Sequence, residues 1–151
     1  MRLNFSILMD AFFIALLLWC TNTDLKERII LNLQIVLLIC LGFAHTGLVI
    51  MNGNTWWIYP AGLLFAIPFF TAWLKNSMGA GDVKLVMAIA LYLGLWGTLV
   101  AFALMIPVLI VMIICAKRKH NTLKRIPFAP VIGTGAISVV VFGYLYGMMK
   151  F

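Results

Sequence analysis

Apolar stretches long enough to cross a bilayer recur along almost the whole chain, and only short gaps separate them. A hydrocarbon core of about 30 Å takes roughly 20 apolar residues in a helix, the geometry that lets a backbone satisfy its own hydrogen bonds away from water. Of the 151 residues, 65% are hydrophobic and 10% charged, whereas soluble domains hold roughly half apolar and about a quarter charged residues. A water-soluble fold is excluded, and almost no length remains for an extramembrane domain. The first run, Phe5 to Cys20, has the length of a signal peptide. It contains Asp10, however, lacks a strongly basic leader and a small-residue cleavage site, and is followed by further runs. It reads as a helix of the mature protein.

The pattern predicts an all-α, polytopic membrane protein forming a single domain over 1–151. Six transmembrane helices are expected near 5–21, 29–51, 57–74, 83–95, 98–116 and 128–149. The stretch 83–116 would otherwise make one helix of about 51 Å, far longer than a bilayer needs, and Gly94-Leu95-Trp96-Gly97 offers a turn in its middle. Charge supports the break. Lys26 and Arg28 occupy the first gap, Lys75 and Lys84 flank the third, and Lys117, Arg118, Lys119, Lys124 and Arg125 fill the fifth. The second and fourth gaps carry no basic residue, so six crossings put all three basic clusters on the cytoplasmic side and both termini outside. Trp56, Trp57, Tyr59 and Trp96 then fall at the outer interface, and Trp19 and Trp73 near the inner one.

The net charge of +7 lies in these gaps rather than along one soluble face, so it reports orientation and implies no nucleic-acid partner. Cys20, Cys40 and Cys115 have neither zinc-site nor disulfide spacing and read as buried apolar side chains. The four acidic residues are Asp10, Asp24, Glu27 and Asp82. Carboxylates at membrane depth are expensive, so each one near a span is a functional candidate. Asp24 and Asp82 are predicted at the same depth, at the cytoplasmic ends of the first and fourth helices. The plain alternatives are a solvated charge beside Lys26, Glu27 and Arg28 for Asp24, and a helix N-cap for Asp82. Asp10 lies about 21 Å along the helix from Asp24 and is expected at the outer interface, outside that site. Gln34, His45 and the Gly143/Gly147 pair read as packing residues.

Gly79-Ala80-Gly81-Asp82-Val83-Lys84-Leu85, together with Asp24 followed by Asn32, resembles the type IV prepilin peptidase family of membrane aspartyl proteases. Its Gly-x-Gly-Asp motif is matched by the first run and its leading Asp motif by the second. Leu31 stands where that motif usually has proline. Arg125-Ile126-Pro127-Phe128-Ala129-Pro130 is similar to the family's Pro-Phe-Gly-Pro opening of the last helix, with Ala129 in the glycine position.

The resemblance implies an aspartic-type endopeptidase that removes the short basic leader of prepilins or pilin-like proteins at the cytoplasmic face of a prokaryotic inner membrane, in type IV pilus assembly or protein secretion. Asp24 and Asp82 would be catalytic, and Gly79, Gly81, Lys84, Asn32, Pro127 and Pro130 would support them. Lys84 would either steer a substrate carboxylate or snorkel at the membrane edge. No metal and no cofactor is implied. The chain begins almost directly in the first helix and lacks the cysteine pairs of larger members, so it looks like the short, peptidase-only form without S-adenosylmethionine use. Expected partners are the prepilin-like substrate and membrane lipid. The rival readings are a proton-coupled carrier, a non-catalytic subunit of a pilus or secretion assembly, and a protease cutting deep within the bilayer.

Overall fold

A computed structural model describes the backbone at 2–53, 55–118 and 127–145 and the side chains at 6–53, 55–114 and 127–145. The elements are α1 (Arg2–Glu27), α2 (Asn32–Met51), α3 (Ile58–Ala61), a 3₁₀ segment (Gly62–Ala66), α4 (Ile67–Leu74), α5 (Ala80–Arg118) and α6 (Ala129–Leu145). The fold is all-helical, with no strand among the described residues. Lys119, Lys124, Arg125, Gly147 and Lys150 lie outside the described residues, as do the side chains of Arg2, Cys115, Lys117 and Arg118.

Three helical stretches, Ser6–Glu27, Asn32–Met51 and Ala80–Ile114, are long and apolar enough to cross a membrane, while Ile58–Leu74 and Ala129–Leu145 are apolar but shorter. The predicted helix at 57–74 is divided into α3, the 3₁₀ segment and α4. Pro68 at the start of α4 has no backbone N–H and so cannot carry regular α-helical bonding on from the 3₁₀ segment.

Residues 83–116 fall within one helical run, yet Gly94 breaks it with φ 70° and ψ −172°. That conformation is essentially confined to glycine. The Thr98 hydroxyl donates to the Gly94 carbonyl at 2.6 Å, so a carbonyl turned out of the helical pattern keeps a partner. Tyr59 approaches on the open side, where an added Cβ at Gly94 would lie 3.3 Å from its ring. Tyr59 is buried against α5, whereas Trp19, Trp56, Trp57, Trp73 and Trp96 are exposed; of the cysteines expected to be buried, Cys20 is and Cys40 is not, because Cys40 lies on the outer side of α2.

The long α5 is the central element, packing against α2, α3, the 3₁₀ segment, α4 and α6, and α1 closes the bundle against α2 and α6. Phe13, Leu17, Leu38, Leu85, Ile89 and Ile132 are fully buried between them. Phe13 stacks on Tyr92 at 4.0 Å between ring centroids. The α5–α6 crossing is tight, since a Cβ on Gly135 would sit 2.4 Å from the Ala101 carbonyl oxygen. Close backbone approach at small residues is how helices gain dispersion contacts when lipid removes the hydrophobic drive to associate. Outside this core the surface is covered by large apolar side chains such as Leu8, Phe12, Leu64, Ile110 and Leu145. Water would penalise such a coat heavily. With the long apolar helices, it marks the chain as a membrane protein.

Candidate active site

Helix α1 continues about two turns past its apolar run, to Glu27, where Leu25, Lys26 and Glu27 are good helix formers. Asp24 is therefore buried, at 6% exposure, and not a solvated loop charge. Its Oδ2 accepts the backbone N–H of Ala129 at 2.9 Å. The local sequence explains why that amide is free. Phe128 O accepts from Val131 N and Ile132 N and so opens α6, leaving Ala129 among the first residues, whose N–H groups have no intrahelical acceptor. Pro130 follows with no N–H to satisfy, a position where proline is well tolerated. The positive end of α6 also favours a carboxylate.

Asp82 is the third residue of α5 and therefore stands in the first turn rather than at the cap. The capping place falls to Gly79, whose carbonyl accepts from Val83 N. Asp82 folds back over that glycine, so that an added Cβ at Gly79 would lie 3.1 Å from Asp82 Oδ2. Gly81 faces Ile30, where a Cβ would make ordinary contact at 3.4 Å.

Asp24 and Asp82 line a common cavity of about 940 Å³ at the end of the bundle where α1 finishes and α5 and α6 begin. Gly79, Gly81, Pro127 and Phe128 line it too, as do Phe69 and Pro68 of α4. Arg28 and Asn76, the described non-glycine residues with positive φ (55° each), both form part of the wall. Each terminates a helix, α1 and α4 respectively, in the left-handed conformation that turns the chain away abruptly. The cavity therefore combines two carboxylates, one guanidinium and an apolar side. Among the described residues, no three His, Cys, Asp or Glu side chains gather as a metal-ligand group.

The other predicted residues support this end without touching the cavity. Asn32 is the first residue of α2, and its Oδ1 accepts from Lys84 Nζ at 3.4 Å, joining the start of α2 to the start of α5. Gln34, read from sequence as packing, has a more specific task. It is fully buried, its Oε1 accepts from Leu31 N at 3.1 Å and its Nε2 donates to Thr23 Oγ1 at 3.2 Å. The family's proline would have no N–H at position 31, and Leu31 uses that N–H to cap α2. Glutamine three residues into a helix is a capping-box signal that the sequence did contain.

Asp10, expected at the outer interface, is enclosed by the bundle. It is 3% exposed, accepts from the Tyr92 hydroxyl at 2.5 Å through Oδ1, and accepts from the Tyr144 hydroxyl through Oδ2. It stands apart from the cavity, as expected from its distance along α1.

Residues 11–117 match the profile of the type IV leader peptidase family. The chain belongs to that family. The matched span holds Asp24, Asn32, Gly79, Gly81, Asp82 and Lys84, while Pro127 and Pro130 follow it. Comparison with curated proteins and with solved structures gave no match. As a leader peptidase-family membrane protein, the chain requires a place where water, a catalytic group and a peptide bond can meet. The cavity is an opening in the apolar bundle with two carboxylates on its wall.

Proposed function

We propose that the chain is an aspartyl endopeptidase that cuts the short basic leader from prepilins or pilin-like proteins at the cytoplasmic face of a prokaryotic inner membrane. The reading is carried by one observation, the opening of Asp24 and Asp82 into a common cavity although they come from different helices. The chemistry of such a pair needs one carboxylate ionised and the other protonated, as acid–base partners on either side of the peptide bond. The ionised member takes a proton from a water, whose oxygen attacks the scissile carbonyl. The protonated member passes its proton to the carbonyl oxygen. Collapse of the tetrahedral intermediate breaks the C–N bond, with a proton delivered to the leaving amine.

Six crossings with both termini outside remain the proposed topology, supported by the Gly94 break and by Lys26, Arg28, Lys75 and Lys84 near the cavity end. The extended leader would lie in the cavity and the substrate's apolar helix against the bundle. The apolar wall formed by Phe69, Pro68 and Phe128 suits that join.

The test is cleavage of co-reconstituted prepilin-like substrates by the parent chain and by Asp24→Asn and Asp82→Asn. Removing either acid–base partner is expected to lower kcat by on the order of 10²–10⁴-fold with the fold retained. Full activity in either folded variant would remove that residue from the dyad, and no cleavage of any prepilin-like substrate by the parent chain would overturn the substrate assignment.

A further inference from the structure

Asp10 has no part in the chemistry just described, yet it is more deeply buried than Asp24 and lies within an apolar helix. An intramembrane carboxylate is expensive enough to require a reason. Its two oxygens are each engaged by a tyrosine from a different helix, Tyr92 of α5 and Tyr144 of α6. Tyr92 is fixed in turn, with Phe13 of α1 stacked on its ring and the His45 ring 4.6 Å away between centroids.

The arrangement repeats the one at the cavity. Helix α1 carries Asp24, α5 carries Asp82, and α6 supplies the Ala129 amide that Asp24 accepts. Asp10 joins the same three helices a second time, at Tyr92 just before the Gly94 break in α5 and at Tyr144 near the end of α6. Between the two carboxylates, the core side chains of α1 are apolar, among them Phe13, Leu16 and Leu17, and the Thr23 hydroxyl pairs with Gln34 of α2 rather than with α5 or α6. Apolar contacts favour closeness without fixing register, whereas hydrogen bonds to a carboxylate specify distance and direction.

We propose that Asp10 is a positioning residue, which, by accepting from Tyr92 and Tyr144, fixes the register of α1 against α5 and α6 and so sets how Asp24 stands relative to Asp82. This rests on the dyad reading for its catalytic consequence, but not for its geometric one.

The experiment compares the parent chain with the triple variant Asp10→Leu, Tyr92→Phe, Tyr144→Phe. Removing one partner alone would leave a buried polar group unsatisfied and could unfold the protein. Replacing all three leaves none orphaned and is expected to preserve thermal stability. A purely structural role then predicts a stable and fully active protein. The positioning role predicts a stable protein whose kcat falls by about tenfold or more at unchanged KM, because a displacement of ~1 Å at reacting groups is enough for such losses.

Geometry is read separately by electron–electron resonance between nitroxides at Lys26→Cys and Met87→Cys, exposed positions on α1 and α5, with Cys20, Cys40 and Cys115 replaced by alanine. A shifted or broadened distance distribution in the triple variant supports the proposal. An unchanged distribution overturns it whatever the activity, as does unchanged kcat in a variant that cleaves. If the parent chain cleaves no prepilin, the substrate reading fails and the distance measurement still decides the role of Asp10.

Discussion

Ala129 serves the candidate site through its backbone alone. Its N–H is the donor to Asp24 Oδ2, and its small side chain is buried at the α6 start. This explains how alanine stands where the resemblance would put glycine, since both offer the same amide. Ala129→Gly should therefore retain cleavage, with a stability loss below about 1 kcal/mol. Ala129→Pro removes the donor. Hydrogen bonds to charged groups contribute about 1.5–3 kcal/mol, and if that is lost from the active arrangement, kcat should fall by on the order of 10–100-fold. Gly79 provides a second measurement at this scale. Its missing side chain leaves room for the Asp82 carboxylate, and Gly79→Ala would bring a Cβ within 3.1 Å of Oδ2. Steady-state kinetics should show kcat reduced by roughly tenfold or more as Asp82 is displaced.

At the scale of elements, the turn between α1 and α2 brings Asp24 and Asn32 to the same end of the bundle, and Gln34 holds it by capping α2 through Leu31 and reaching Thr23. Gln34→Leu would leave the Leu31 N–H and Thr23 hydroxyl without that partner. It should reduce stability by about 1–3 kcal/mol, visible as a lower Tm in detergent. The Gly94 break is the other element-level device. Its φ of 70° with ψ −172° is closed to alanine without strain, and Tyr59 occupies the space beside it. Gly94→Ala should destabilise by about 1–3 kcal/mol. The glycines at 94 and 97 pointed to a break in the sequence. The local geometry, including the Thr98 hydroxyl on the Gly94 carbonyl, required the neighbouring helices to be in position.

For the molecule as a whole, the proposed six crossings predict opposite accessibility at the two ends. In a background without other cysteines, Lys26→Cys should react with a membrane-impermeant maleimide only from the cytoplasmic side, and Gly53→Cys only from outside; the reverse pattern would invert the proposed orientation. The sequence by itself determined the helical class and membrane solvent, because long apolar runs admit few other structures. It also marked Asp24 and Asp82, since scarce carboxylates beside spans stand out against an apolar background. Only the tertiary structure decided that the two line one cavity and that Ala129 donates to Asp24. It alone gave Asp10 its tyrosine partners and gave Gln34 its place as a cap. Apart from the Gln34 cap, a local contact whose capping-box signal was in the sequence, these join helices distant in sequence, and a residue's own helix periodicity does not encode which side chain from another helix will face it.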